Sequence, residues 1–192
     1  KWQVKPEAQP KLAKIQSELW NWYSKEIKKL GAIDLLVYNG DAIDGKGKRS
    51  GGTEQLTTDR TKQCDIAAFV INYVEAKQVL MTYGTGYHVG IDEDWEDIVA
   101  SKVKNLIKIG SHEWPEINGV IFDVKHKIGA STVPHGRMTA LAKARLWNQI
   151  WNSAHDSQPD AHVIIRSHVH YHNQCGGDGW LAMTTGLGGV GG

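Results

Sequence analysis

Short apolar segments alternate with longer segments of helical periodicity along most of this 192-residue sequence. Several runs have the length and partly β-branched composition of buried strands. These are residues 33–38, 78–83, 119–124 and 162–166, with 180–184 as a further short candidate. Apolar side chains recur at helical spacing in four other segments. These are residues 11–30, 59–77, 93–108 and 137–154. The alternation predicts an α/β fold, with layered and mostly buried sheets that are flanked by helices.

The composition is that of an ordinary globular domain. Apolar residues make up 41% of the chain, and 22 Lys and Arg residues oppose 21 Asp and Glu residues. A chain of this size forms a substantial core, so we expect one domain over 1–192. The balanced charge argues against a generally basic nucleic-acid binder, although it does not exclude a local basic patch. Residues 186–192 contain five glycines, which predicts a flexible tail.

Cysteine usage and hydropathy bear on the compartment. The chain has two cysteines, Cys64 and Cys175, too few for a disulfide-stapled secreted scaffold. No apolar run reaches the roughly 18 residues that a membrane-spanning helix needs. These two features predict a cytoplasmic protein with no membrane partner. They leave the oligomeric state open.

Polar clusters follow the predicted strands at the points where the strands end. The loops at the carboxyl ends of strands in an open α/β sheet converge on one edge, where sites assemble. One carboxylate combined with several imidazoles suits Mn, Fe, Zn or Ni better than Ca. We therefore predict a metal site at this edge. The polar residues that follow the strands are, in order, Asp41 with Asp44, His88, His126, and His168 with His170.

These residues resemble the motifs of the calcineurin-like metallophosphoesterases over about residues 33–184. The sequence G-D-A-I-D at 40–44 resembles the family's G-D-x-x-D, and His126 resembles its isolated metal histidine. The sequence S-H-V-H at 167–170 resembles the closing G-H-x-H. Residues 84–88 stand where G-N-H-[D/E] is expected, but Thr85 occupies the Asn position and the histidine comes two residues late.

The resemblance implies a set of metal ligands around two divalent ions, Mn being favoured among Mn, Fe, Zn and Ni. Asp41 would bridge the two ions, His126 and His168 would bind the second, and His170 would bind the first. Two such ions lower the pKa of a bound water to about 7, so that hydroxide can attack a phosphate ester.

The resemblance also implies two catalytic residues. His88 would protonate the leaving oxygen, and Asp44 would hold the histidine ring. The late position of His88 requires its loop to fold back, which glycines at 84 and 86 permit.

One family element is missing from this sequence. The family opens on a strand that ends in D-x-H, and no Asp precedes Asp34 and no His precedes His88. The D-x-H at 160–162 begins the fourth strand, and at ~3.3 Å per residue it lies ~20 Å from His168. We therefore expect either that the domain is truncated at its N-terminus or that one metal site is impaired.

Three functions stay open at this point. A phosphoesterase acting on phosphodiesters, nucleic acid among them, is favoured by the basic loop that holds Lys46, Lys48 and Arg49. A non-catalytic metal-binding or scaffold descendant of the fold is favoured by the missing D-x-H and the altered 84–88 motif. A single-metal hydrolase is the third. The four-residue spacing of Trp147 and Trp151 favours helix packing over base stacking.

Overall fold

The computed structural model describes residues 14–47, 51–53, 55–89, 95–155 and 157–186. Four features of the sequence lie partly outside these residues. They are the first three residues of the predicted first helix, the Lys48 and Arg49 part of the basic loop, the first two residues of the predicted helix over 93–108, and the glycine-rich tail after Gly186.

The described residues form five helices and eight strands. The helices are α1 (Lys14–Leu30), α2 (Arg60–Asn72), α3 (Gly86–Val89), α4 (Trp95–Ala100) and α5 (Arg137–His155), with a 3₁₀ turn at Pro134–Gly136. The strands are β1 (Leu35–Asn39), β2 (Gln78–Thr82), β3 (Leu106–Gly110), β4 (Glu116–Ile117), β5 (Val120–Lys125), β6 (Val163–Arg166), β7 (His172–Gly177) and β8 (Trp180–Thr185).

Two sheets carry these strands. The first is parallel throughout, in the order β1-β2-β3, with Leu36 beside Val79. The second has the order β4-β5-β6-β8-β7, in which β5, β6 and β8 are parallel and the outer strands β4 and β7 are antiparallel to their neighbours. The parallel strands direct their carboxyl ends toward shared edges. The predicted α/β class, with sheets flanked by helices, is confirmed.

Each sheet has its own apolar core. Ile71 of α2, Met81 of β2 and Val99 of α4 are buried together against the three-stranded sheet. Leu141 of α5 and Ile164 of β6 are buried together against the five-stranded sheet. Each core therefore holds a helix to the sheet whose strand ends carry the polar clusters.

The predicted helix over 93–108 is wrong in its second half. The helix ends at Ala100, and β3 pairs in parallel with β2. Asn105, at a φ of 57°, turns the chain, and its carbonyl accepts a hydrogen bond from the Val79 amide. The branched side chains of Ile107 and Ile109 suit a strand, and pairing with β2 outweighs the helical periodicity.

Strand β7 was not predicted, because its Gly-rich sequence lacks an apolar pattern. Asp178 and Gly179 join it to β8, and Gly179 has a φ of 76°. An Asp-Gly pair between two strands is a strong hairpin signal. That signal was available in the sequence.

A buried ion pair ties β5 to β6 just before the two strands end. Asp123, only 1% exposed, accepts hydrogen bonds from Arg166 Nη1 at 2.6 Å and from His112 Nε2 at 2.7 Å. The Arg166 guanidinium also donates to the main-chain carbonyl of Asp123. These contacts fix the ends of the strands that lead into His126 and His168.

None of the helices described here combines the length and the apolar character that crossing a bilayer requires.

Candidate metal centre

The ends of three strands bring Asp41, His126 and His168 together. One ligand atom from each residue lies within 4.8 Å of the other two. Asp41 follows β1 of the first sheet, whereas the two histidines follow β5 and β6 of the second sheet. The group therefore lies where the carboxyl ends of the two sheets meet, at the edge that the sequence predicted.

The Asp41 carboxylate is held by one of its two oxygens. Oδ1 accepts hydrogen bonds from the Thr85 amide at 2.7 Å and from the Thr85 hydroxyl at 3.1 Å. Oδ2 lies 2.8 Å from His126 Nε2 and 3.9 Å from His88 Nε2. Burial would raise the pKa of Asp41, but His126 and the Thr85 amide together bring it below its usual value. Oδ2 is thus an ionised oxygen directed into the group.

His126 directs its Nε2 at that oxygen. Its Nδ1 lies 2.6 Å from the Asn39 carbonyl, which can only accept, so Nδ1 carries the hydrogen of the neutral ring. Nε2 is buried and forms no regular hydrogen bond, although Asp41 Oδ2 is only 2.8 Å away. Two lone pairs at that distance repel unless a cation or a proton lies at them. This donor set therefore fits a divalent metal ion.

The pKa of His126 reflects the same arrangement. Burial lowers it, but the Asp41 carboxylate and the Asn39 carbonyl outweigh burial, so the pKa of His126 lies above its usual value. The Asp41 carboxylate thus favours positive charge at Nε2, whether a proton or a bound cation supplies it.

His168 completes the group from the second sheet. Its ring centroid lies 5.5 Å from that of His126. Burial, followed by the nearby charge of His126, lowers the pKa of His168. His168 is therefore neutral near pH 7, which is the form that binds metals.

His170 lies apart from this group. Asp41, His126 and His168 alone form a three-ligand cluster in the described part of the chain, and His170 is exposed. Residues 168–171 are bends, and His168 has a φ of 67°, so the chain between His168 and His170 is not an extended strand. The role of His170 as a ligand stays a prediction.

His88 reaches the group despite its late position. The short helix α3 brings its Nε2 to 3.9 Å from Asp41 Oδ2. Its Nδ1 lies 3.3 Å from the main-chain carbonyl of Asp44, whereas the Asp44 side chain is exposed. Asp44 thus contacts the ring through its backbone. The catalytic roles of both residues stay predictions.

Two residues that position the ligands were not predicted. The Glu96 side chain, 1% exposed, accepts from the Gly84 amide at 2.6 Å and from the Ala42 amide at 3.0 Å, and burial raises its pKa. Asn39 holds His126 through its carbonyl and donates from Nδ2 to the Ser167 hydroxyl at 2.8 Å. The sequence pointed weakly to Asn39, because it is the polar residue that follows the predicted strand 33–38. No sequence pattern pointed to Glu96, because its contact with Ala42 joins residues 54 positions apart.

Glycine is required at position 84 by close approach. A Cβ atom there would lie 2.2 Å from both the amide nitrogen and Oδ1 of Asp41. Gly84→Ala should displace the carboxylate and weaken Mn²⁺ binding roughly 100-fold, because a misplacement of about 1 Å has an effect of that order at a functional site. Isothermal titration calorimetry measures the change.

The matched control is Gly129→Ala. A Cβ at Gly129 would meet its nearest neighbour, Ala140, at 4.0 Å. We expect the control to bind Mn²⁺ as the unmodified chain does. Equal Mn²⁺ affinity of the two variants would contradict the proposed role of Gly84.

No protein-family model and no curated protein matches the chain. Several solved structures are similar to it. An archaeal phosphodiesterase has a TM-score of 0.49 and 15% identity, covering 88% of this chain and 78% of its own. Vps29 from Entamoeba histolytica complexed with Zn²⁺ has a TM-score of 0.39 and 20% identity, over 79% and 73%. A predicted phosphoesterase from Streptococcus pneumoniae has a TM-score of 0.36 and 9% identity, over 79% and 71%. All three TM-scores lie below 0.5.

Proposed function

We propose that this chain is a metal-dependent phosphoesterase of the calcineurin-like type that hydrolyses phosphodiesters in preference to other phosphate esters. The observation that carries this proposal is the close approach of Asp41 Oδ2 and His126 Nε2, 2.8 Å apart and beside His168. A half-buried site of this kind, built at the ends of strands from two sheets, is suited to bind a cation and to direct it at an anionic substrate.

Asp41, His126 and His168 would hold a divalent ion, Mn²⁺ by preference. When bound, such an ion lowers the pKa of a water and neutralises charge on phosphoryl oxygens. We also propose a second ion, which would share Asp41 with the first and would have His170 as a further ligand.

His88 supplies the proton in this proposal. Its Nδ1 is directed at the Asp44 carbonyl and its Nε2 at the metal group, so Nε2 is the nitrogen that can donate to a leaving oxygen. The Asp44 carbonyl orients the ring. This geometry supports general-acid catalysis by His88.

A cleft of about 210 Å³ opens beside Asp41 and Asp44. Leu56 and Ile66 form part of its wall. An apolar wall next to ionised groups offers room for the organic part of an ester.

The test uses the purified chain, stripped with a chelator and reloaded with Mn²⁺. Calorimetry gives the number of ions per chain, and bis-p-nitrophenyl phosphate reports diester hydrolysis. We expect hydrolysis that appears with Mn²⁺ and is lost on adding the chelator. A metal-loaded chain that hydrolyses no member of a panel of mono- and diesters would overturn the proposal.

A non-catalytic metal-binding module is the second candidate. It is favoured by the position of His170 outside the ligand group, and by Thr85, whose amide and hydroxyl are both engaged with Asp41. This candidate predicts one bound ion per chain and no hydrolysis at any pH at which the chain stays folded.

A further inference from the structure

A second cleft, of about 330 Å³, lies between α5 and the ends of β5 and β6. Its wall includes Lys125 and Lys127, the two residues that flank His126 in the sequence, and Lys143 of α5. The cleft is thus distinct from the metal group but begins directly beside it.

The cleft is positively charged. Lys125, Lys127 and Lys143 are exposed, and none of them forms an ion pair within the described residues. Arg166, at the floor, is already paired with Asp123. The three lysines therefore leave uncompensated positive charge, although the whole chain is nearly neutral.

The same cleft carries an exposed aromatic surface. Trp147 and Trp151 lie one turn apart on α5, with ring centroids 6.5 Å apart and an interplanar angle of 29°. They are 47% and 39% exposed, so the two rings contact each other along the helix surface and do not lie in a core. The helix buries Leu141 and Asn148 instead, and at about 100° per residue both tryptophans lie to one side of that face.

We propose that this cleft binds single-stranded nucleic acid. Nucleobases would stack on Trp147 and Trp151, and phosphates would lie against Lys125, Lys127 and Lys143. Stacking platforms next to a basic groove are the combination by which proteins bind single strands without sequence preference. An acidic peptide would engage the lysines but would leave the aromatic surface without a flat partner.

The cleft and the metal group are separate sites. His126 lies between Lys125 and Lys127 in the sequence, but its ring contacts Asn39 and Asp41 and does not line the cleft. Binding in the cleft therefore needs no metal, and the assignment goes beyond the proposed function.

The experiment measures binding of the whole chain to a fluorescein-labelled oligothymidylate by anisotropy, in the presence of EDTA and at several salt concentrations. We expect the logarithm of the affinity to fall with the logarithm of salt concentration at a slope of about −2, from three lysines at about −0.7 each. Trp147→Ala should weaken binding at least about fivefold, the lower end of the effect of one stacked base. Lys143→Glu should weaken binding and make the slope shallower.

The matched controls lie on α1, outside the cleft. Trp22→Ala removes a tryptophan that is 50% exposed, and Lys25→Glu makes the same charge change as Lys143→Glu. We expect each control to change the affinity less than about twofold, because surface substitutions away from a site usually have effects no larger than this. Circular dichroism establishes that every variant is folded.

Three outcomes would overturn the assignment. One is no binding at low salt, and another is equal effects of Trp147→Ala and Trp22→Ala. The third is competition by polyglutamate or polyphosphate as strong as that by unlabelled oligonucleotide, which would identify a general polyanion surface. Hydrolysis of bis-p-nitrophenyl phosphate by the Mn²⁺-loaded chain separates the two proposals. Oligonucleotide binding without diester hydrolysis overturns the phosphoesterase alone, and hydrolysis without binding overturns the cleft alone.

Discussion

Asp41→Asn should abolish Mn²⁺-dependent hydrolysis of bis-p-nitrophenyl phosphate and weaken Mn²⁺ binding by more than about 100-fold. Loss of a partner that merely orients a metal ligand has an effect of about 10- to 100-fold, and we propose Asp41 as the charged ligand itself. Asparagine removes the negative charge. It also leaves only one oxygen to serve both Thr85 and the position facing His126 Nε2. Calorimetry and the hydrolysis rate measure the two effects.

Asp34→Asn is the control for this substitution. Asp34 directly precedes β1, at the opposite end of the strand from Asp41, and its exposed carboxylate pairs only with Lys77 among the ion pairs of the described residues. The control removes the same charge while leaving the metal group in place. Retention of Mn²⁺ affinity within about tenfold by Asp41→Asn would show that Asp41 is not a ligand.

Asp123→Asn should destabilise the fold by about 3 kcal/mol, because it leaves the buried Arg166 guanidinium without a counter-charge. Denaturant unfolding, followed by tryptophan fluorescence, measures the free energy of unfolding. A loss of this size is a large part of the stability of a domain.

The same carboxylate makes stability depend on pH. Burial would raise the pKa of Asp123, but the hydrogen bond from His112 and the charge and hydrogen bond of Arg166 hold it below its ordinary value of 3.8. A lowered pKa in the folded state stabilises the fold above the unfolded-state value and loses that effect as the pH falls through the folded-state value. We therefore expect the stability gap between the unmodified chain and Asp123→Asn to be full at neutral pH and to narrow below about pH 4.

Asp65→Asn is the matched control for Asp123→Asn. Asp65 pairs with Lys102 at the surface, where its side chain is 59% exposed. Exposed ion pairs contribute about 1 kcal/mol or less, so this variant should unfold close to the unmodified chain. Equal stability losses in the two variants would mean that the Asp123 pair contributes no more than a surface contact.

The local pattern of apolar residues was sufficient to predict much of the fold. The apolar runs predicted β1, β2, β5 and β6 to within about two residues, because a buried strand in a parallel sheet must be apolar along its length. The same reasoning failed at β3. Its polar and apolar residues read equally well as a helix, and only pairing with β2 decided between them.

Some contacts of the candidate site were likewise predictable from the sequence, and others were not. That Asp41, His126 and His168 meet was predictable, since each follows a strand and parallel strands end at a common edge. The position of His170 outside the three-ligand cluster was not predictable, because it depends on a left-handed residue at His168. The contact of Glu96 with Gly84 and Ala42 was not predictable either, because it joins segments that are separated in the chain.

The sequence alone determined the α/β class and the strand ends at which polar residues collect, since both follow from local periodicity and the polarity of neighbouring residues. The tertiary structure decided which of those residues bring their ligand atoms within 4.8 Å of one another, and which tryptophans stay at the surface. Those outcomes depend on backbone turns and on contacts between distant segments. Such contacts form only when the two sheets and their helices are assembled.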